Sequence, residues 1–169
     1  MIATVEDMRK IRSIAVNVSP EMLIPYIDDA EKQDIIEVLT PSLYFAIEGD
    51  RSNPKYKILL EGGVYNDCNC EKYNRGLLKA IAYLAYARLL IFGDIQATAF
   101  GIKKKNTNYS ENVGEVDKAR ASSSARKIGL DILRDCKIIA DQLRMSGDCC
   151  STDTVERRQR YIKIGNSKL

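Results

Sequence analysis

Residues 77–92 are one of the most apolar stretches of the chain. When they are placed on a helix, their apolar side chains cover almost its whole circumference. They form three stripes with spacings of three or four residues, and one stripe also carries Arg88. A helix that is apolar nearly all round is buried on most sides. We therefore expect a long helix over residues 71–92, at the centre of a bundle or against a neighbouring subunit. Lys79 and Arg88 interrupt the run, and a membrane span needs about 20 mostly apolar residues, so the pattern argues against a bilayer crossing.

A second long helix is predicted over residues 115–145, where apolar residues recur every three or four positions. Shorter helices are predicted where a capping residue or proline precedes an apolar run. Thr4 opens the first of them, with Asp7 at the last position of a capping box. Pro20 opens another that runs toward residue 39, in which Pro25 is expected to kink the helix or to move its start. Two more begin at Thr40-Pro41 and Asn53-Pro54 and end at Gly49 and Gly62.

Four segments lack helical spacing. Residues 13–18 partly alternate and are predicted to be extended, and residues 62–70 are rich in Gly, Asn and Asp and are predicted to be a loop. Residues 95–102 are predicted to be irregular or a short strand. The polar residues 103–114 are predicted to form an exposed loop or arm, beginning with the basic triplet Lys103, Lys104 and Lys105.

These elements together predict a mainly α fold. We expect a compact helical bundle with two long helices, several short helices, an exposed loop or arm and an extended C-terminal tail. Strand signals are too few for a doubly wound sheet. The helical domain is predicted to cover residues 1–146, and a basic tail or docking arm to cover residues 147–169.

Composition narrows the class of protein. The length of 169 residues suits one domain, and 45% apolar with 29% charged residues is the balance of a soluble globular protein. The first residues contain charges and no apolar core of a signal peptide. We therefore expect the protein to stay in the cytoplasm in which it is made.

The chain has no histidine, so it lacks the commonest general base and metal ligand. This excludes a Ser-His-Asp or Cys-His mechanism within one chain. Five cysteines occur without the C-x2-C spacing of a zinc site, which favours free thiols over zinc. The carboxylates of Asp28, Asp29 and Glu31 cluster, but at the start of a helix they would favour the helix dipole. We expect no enzyme, and no catalytic, metal or cofactor site.

Arg88 allows two interpretations. Its stem can pack against apolar neighbours while the guanidinium reaches solvent or pairs with a nearby acid. Alternatively, it forms an ion pair across a subunit interface, which makes Arg88 a candidate interface residue.

The C-terminal tail concentrates positive charge. Residues 156–169 contain three Arg, two Lys and one Glu, a net of about +4 by formal charge, whereas the whole chain carries +3. The tail is either a loose terminus, a docking arm that orders on binding, or a contact to DNA. The lysine triplet also allows several interpretations. It is either a solvated loop or a contact to DNA phosphates or to an acidic partner. The candidate docking residues of the tail are Arg157, Arg158, Arg160, Tyr161, Ile162 and Ile164.

The order of several short motifs carries a family resemblance. Gly76-Leu77 is followed by an Ala/Tyr-rich helix ending in "YARL", then by "TAFG" at residues 98–101, a lysine-containing segment and "YSE" at residues 109–111. In this order the chain resembles head–tail connector proteins of tailed bacteriophages, most closely those of phages and prophages of gut Bacteroidetes. The resemblance covers residues 20–143 and leaves out the C-terminal tail.

The resemblance implies a structural role in a virion. Such subunits form a homo-oligomeric ring, usually twelve-fold, between the portal protein and the tail, where they extend the DNA channel and dock the next tail or adaptor protein. It implies the portal, neighbouring copies and further tail proteins as partners, transient contact with passing DNA, no membrane and no catalysis. In such a ring, Lys103, Lys104 and Lys105 would lie on an exposed arm or face the channel. The place implied is the neck of the virion, after assembly in the host cytoplasm.

A different class of function remains as an alternative. The chain could be a small helical nucleic-acid-binding or regulatory protein that uses the basic tail and the lysine triplet. Its binding would weaken steeply with salt. No recognition-helix signature supports this alternative.

Overall fold

The computed structural model describes residues 1–14, 18–67, 70–93 and 114–144, and the backbone of residues 95–98 and 101–104. Helices dominate this part of the chain, which confirms the predicted mainly α fold. The helices are α1 (Val5–Ile11), α2 (Pro20–Ala30), a π-helical segment (Glu31–Ile35), α3 (Ile36–Leu39), α4 (Pro41–Gly49), a 3-10 turn (Pro54–Tyr56), α5 (Lys57–Glu61), α6 (Leu77–Phe92) and α7 (Glu115–Leu143), and the strands are β1 (Gly63–Asp67), β2 (Cys70–Asn74), β3 (Ile95–Thr98) and β4 (Gly101–Lys104).

Helix α6 lies at the centre of the core, as its all-round apolar pattern predicted. It contacts α1, α2, α5 and α7. Leu77, Ile81 and Leu84 are fully buried, and the alanines between them are buried as well. Burial stops at the C-terminal end, where Ile91 and Phe92 are exposed. The prediction of a central helix is therefore confirmed for its first three turns.

Helix α7 packs antiparallel against α6. The hydroxyl of Ser122 donates a hydrogen bond of 2.8 Å to the carbonyl of Ala87, near the start of α7 and the end of α6. Further along, the two backbones come close at Gly129, where a Cβ atom would lie 2.8 Å from Cγ of Leu84. At the opposite end, Arg75 just before α6 forms a salt bridge of 2.8 Å with Asp135.

Strands β1 and β2 form an antiparallel hairpin where a loop and the start of a long helix were predicted. The predicted helix start at residue 71 is wrong, because the chain reaches α6 only after Gly76, whose φ angle is +94°. A side chain at Gly76 would come within 2.7 Å of the backbone of Glu61. Gly62, with φ +93°, makes a similarly close approach to Asn74. Only glycine adopts this conformation in so little space, and the two positions fix the base of the hairpin.

The N-terminal half follows the predicted starts. Thr4 and Asp7 form the capping box of α1, and the helix from Pro20 reaches Leu39 with Pro25 accommodated on its exposed side. Near its middle the helix widens into the π-helical segment, a local change that often occurs at functional sites. Helix α1 is attached to α6 by the guanidinium of Arg12, which stacks over two tyrosine rings, those of Tyr83 and Tyr86, at 4.7 and 4.3 Å.

The predicted helices at Pro41 and Pro54 are confirmed, and α7 agrees with the predicted second long helix. Of the segment predicted to be extended at residues 13–18, residues 15–17 lie outside the described part. Residues 95–98 and 101–104 form the second hairpin, which agrees with the predicted short strand. No helix within the described ranges is both long enough and apolar enough to cross a bilayer.

Candidate interaction surfaces

The described carboxylates and thiols do not assemble into a metal site. Within the described ranges, no group of three or more Cys, Asp or Glu residues is placed to hold an ion. Cys70 is an exposed free thiol and Cys136 a buried one. Burial raises the pKa of the Cys136 thiol to about 12, and the thiol lies 3.3 Å from Oδ1 of Asn74. The other three cysteines, Cys68, Cys149 and Cys150, lie outside the described residues.

The clustered acids at residues 28–31 lie inside the continuous helical run from Pro20 to Leu39 and not at its start, so the predicted dipole role is wrong for them. Asp28 and Asp29 lie in the last turn of α2, and Glu31 begins the π-helical segment. Glu31 is fully buried and accepts hydrogen bonds from the amides of Ile2 and Ala3, at 2.9 and 2.7 Å.

Glu31 also accepts a hydrogen bond of 2.7 Å from the Tyr44 hydroxyl. Burial, followed by this bond to Glu31, raises the pKa of the Tyr44 phenol. The Glu31 carboxylate thus fastens the N-terminal segment to α4. Its partners are separated from it by 13 to 29 positions, so no local sequence pattern could have indicated this role.

The Arg88 side chain forms an ion pair within the chain. Its Nη2 lies 2.6 Å from Oδ2 of Asp34, and the two side chains are only 11% and 9% exposed. Arg88 also donates hydrogen bonds to Oε1 of Gln33 and to the carbonyl of Leu84. Arg126 on α7 approaches the other oxygen of Asp34 at 3.4 Å. The cluster connects the π-helical segment to both long helices, so Arg88 pairs with a nearby acid, and its interface role stays a prediction.

Of the basic positions predicted to bind a partner, two lie in β4 and the others lie outside the described residues. Lys103 and Lys104 are the last residues of β4, so the predicted loop is wrong for these two residues, while an exposed arm, a channel-facing position and a contact to DNA stay predictions. The strand forms because residues 101–104 pair in antiparallel register with residues 95–98. Lys105 lies outside the described residues. The same is true of all six candidate docking residues of the tail: Arg157, Arg158, Arg160, Tyr161, Ile162 and Ile164.

The outer side of the first hairpin exposes an apolar pair. Val64 and Tyr73 lie directly opposite each other in the register of β1 and β2, and they are 59% and 67% exposed. The opposite side of the hairpin faces α7, where Gln142 donates a hydrogen bond to Asp67. We call Val64 and Tyr73 the ribbon pair.

A second exposed apolar group lies at the other end of the α6–α7 pair. Ile91 and Phe92 in the last turn of α6 are 46% and 51% exposed, and Val116 in the first turn of α7 is 63% exposed. Because α6 and α7 are antiparallel, these residues lie at the end from which β3 and β4 extend. We call Ile91, Phe92 and Val116 the helix-end group. The ribbon pair and the helix-end group were both missed from the sequence, because exposure depends on which side of an element packs.

Comparison with known families places the chain in one of them. The chain belongs to the family of unknown function DUF6712, whose model matches residues 35–138. The matched region runs from the end of the π-helical segment into α7 and includes both hairpins, Arg88 and the two exposed apolar groups. No curated protein and no solved structure matches the chain.

Proposed function

We propose that this protein is a structural subunit of a bacteriophage virion. It forms a ring between the portal and the tail, extends the DNA channel and docks the next tail component. The portal protein, neighbouring copies and further tail or adaptor proteins are its partners, and its contact with passing DNA is transient. The resemblance of the motifs between residues 76 and 111 to head–tail connectors supports this proposal.

The observation that carries the proposal is the placement of two unlike apolar surfaces at opposite ends of the α6–α7 pair. A ring is built from heterologous contacts, in which one face of a subunit meets a different face of the next. The ribbon pair and the helix-end group differ in composition and in supporting structure. Helix α6, which connects the two ends, is about 24 Å long for its 16 residues. Such an arrangement suits repeated head-to-tail association.

The rigidity of the core also supports this role. Helix α6 is buried along most of its length and is held by α7 and by the Arg88–Asp34 ion pair. The ends that would meet neighbouring subunits are therefore kept at a fixed separation.

A mixing experiment with two single variants tests the proposal. Tyr73→Ser removes the aromatic ring of the ribbon pair, and Phe92→Ser removes that of the helix-end group. Each variant alone should form rings at least tenfold less readily, because truncating a central aromatic side chain commonly costs about 2 kcal/mol in an interface. Each retains one intact end, so an equimolar mixture should give dimers joined through the two intact ends. Native mass spectrometry, with and without portal protein, reads out the result.

The exposed Phe45 on α4 supplies a matched control, because Phe45→Ser removes an aromatic ring that belongs to neither group. Its ring contacts that of Tyr44 at 5.4 Å, so the melting temperature of this variant is measured alongside. This variant should assemble like the unmodified protein. The proposal is contradicted if both end variants assemble normally. A stable monomer that binds DNA tightly, with an affinity that falls steeply as salt is raised, would favour the nucleic-acid-binding alternative.

A further inference from the structure

The outer side of α2 forms a third surface that combines acidic and apolar side chains. Its residues face away from Leu23, Ile27 and Ala30, which pack into the core. We call the outward residues Glu21, Met22, Ile24, Pro25, Asp28 and Asp29 the α2 face. We propose that the C-terminal segment of the same chain, residues 157–164, docks on the α2 face.

The α2 face provides an apolar surface bordered by charge. Met22 and Ile24 are exposed large apolar residues. At 3.6 residues per turn they lie on the two flanks of the outward side of α2, and the exposed Pro25 lies between them. Glu21 and Asp29 are exposed at either end. A protein usually covers such a side of a helix or uses it for binding, because the apolar atoms gain free energy when they leave water.

The electrostatic environment of the α2 face is negative. Glu21, Asp28 and Asp29 contribute −3, and Lys32, one turn beyond Asp28, contributes +1, so the formal sum is −2. Lys32 forms a salt bridge of 2.7 Å with Asp28. The pKa of Lys32 is raised, first by the hydrogen bond and charge of Asp28 and then also by the charges of Asp29 and Glu48. Glu48 on α4 also acts on Lys32, but its charge is paired with the N-terminal ammonium of Met1, so the net negative charge is that of the α2 face.

The composition of residues 157–164 complements this surface. The segment contains three arginines and one lysine and no acid, and its apolar residues are Tyr161, Ile162 and Ile164. Its formal charge of +4 opposes the −2 of the α2 face, and its apolar residues can cover Met22 and Ile24. Opposite charges of this kind mainly set the choice of partner and the rate of encounter, and apolar contact adds affinity.

The connecting chain is long enough for docking within one molecule. Described structure ends at Arg144, one residue after α7, and residues 145–156 lie between it and the segment. Arg126 on α7 contacts Asp34, a few residues after α2, and Arg144 lies 18 residues, about 27 Å, further along the helix. Twelve residues can span about 40 Å when extended, which exceeds this distance. A tethered segment of this reach has an effective concentration in the millimolar range, so a weak contact is enough to hold it. Docking of this kind does not depend on ring formation.

Trypsin cleavage within the tail measures the docking directly. The variant with Glu21→Lys and Asp29→Lys reverses two exposed charges of the α2 face and leaves every cleavage site of the tail unchanged. We expect cleavage after Arg157, Arg158 and Arg160 to become roughly tenfold faster in this variant, since a docked segment is protected while bound. Ile24→Ser should raise the rate by a smaller factor through the apolar part of the contact. Mass spectrometry of the released peptides gives the rates, and circular dichroism confirms that the helices are intact.

The matched control reverses two exposed acids elsewhere. Glu61→Lys with Glu71→Lys makes the same change in net charge on α5 and β2, and should leave the cleavage rate unchanged. Docking on the α2 face is refuted if all the variants are cleaved at the rate of the unmodified chain, or if the control accelerates cleavage equally. Protection in the unmodified chain should not change on dilution. If protection fell on dilution, the segment would bind a neighbouring copy, which contradicts docking within one molecule.

Discussion

The two long helices pack against each other with opposite sequence patterns. Helix α6 has 16 residues, is apolar on nearly every side and contacts four other helices. Helix α7 has 29 residues and buries one side, while Ile128, Leu130 and Ile138 on its other sides remain partly exposed. The comparison shows that the position of a helix in the core, rather than its length, decides how many of its side chains are buried. Substitutions should therefore be costly at most positions of α6 and at only one side of α7.

The largest expected effect is the removal of a central leucine from α6. Leu84→Ala should lower the free energy of unfolding by about 2–5 kcal/mol, because Leu84 is fully buried and the cavity would be bounded by α7. Leu130→Ala makes the same chemical change on a partly exposed side of α7 and should cost less than about 1 kcal/mol. Urea titration of both variants measures the difference. Equal losses would refute the proposed contrast between the helices.

A somewhat smaller effect is expected from breaking the ion pair of α6. Arg88→Ala should cost about 2–3 kcal/mol, because it leaves Asp34 nearly buried without its closest partner. Arg126→Ala removes the more distant and half-exposed partner of the same carboxylate, and should cost less than about 1 kcal/mol. Both losses are measured by thermal unfolding.

The same variant decides whether Arg88 also acts between subunits. If Arg88 contributes to an interface, Arg88→Ala should weaken assembly more than it weakens folding of the single chain. Sedimentation at temperatures well below unfolding separates the two effects. Intact assembly together with a lowered melting temperature would restrict Arg88 to its contact with Asp34.

An intermediate effect is expected where the two helices come closest. Gly129→Ala should destabilise the protein by about 1–3 kcal/mol, because the new methyl group would lie 2.8 Å from Cγ of Leu84. On the outer side of α7, Ser124→Ala adds no atoms at an exposed position and should change stability by less than about 0.5 kcal/mol. Chemical unfolding of the two variants provides the measurement. If Gly129→Ala left the free energy of unfolding unchanged, α6 and α7 could move apart to fit the methyl group, which would contradict a tight contact at this point.

The smallest effect concerns reactivity rather than stability. Cys136 on the buried side of α7 should resist alkylation at pH 8, because only its thiolate reacts and burial holds its pKa at about 12. Cys70 is exposed on β2 and should react readily. Peptide mass spectrometry after iodoacetamide treatment distinguishes the two residues. In Leu84→Ala, Cys136 should become more reactive, and rapid alkylation in the unmodified chain would contradict the burial of this side.

The features that were predicted well could be recognised from residues close to one another along the sequence. The spacing of apolar residues indicated α6 and α7, and the capping box of Thr4 and Asp7 marked the start of α1. For Arg88, one of the two interpretations was a packed stem with a guanidinium that reaches solvent or pairs with a nearby acid, and the ion pair with Asp34 agrees with it. None of these inferences required contacts between distant parts of the chain.

The features that were missed depend on distant contacts. Residues 71–74 carry side chains that a helix would also accept, and they form β2 because they pair with β1 and because Gly76 adopts a positive φ against Glu61. The Asp34 partner of Arg88 lies 54 positions away in the chain, beyond any local pattern. The exposed ribbon pair could likewise be recognised only after the inner side of the hairpin was known.

The pair of glycines at the base of the first hairpin has a consequence for engineering. Strands β1 and β2 lie between α5 and α6 in the chain. At Gly62 and Gly76 the backbone that leads into the hairpin lies directly beside the backbone that leads out of it. The connection between Asp67 and Cys70 can be lengthened without changing the distance between the helices that carry the ribbon. Tyr65 and Asn74 pack against the core and have to be kept. A foreign peptide inserted between Asp67 and Cys70 should therefore be displayed while the core keeps its shape.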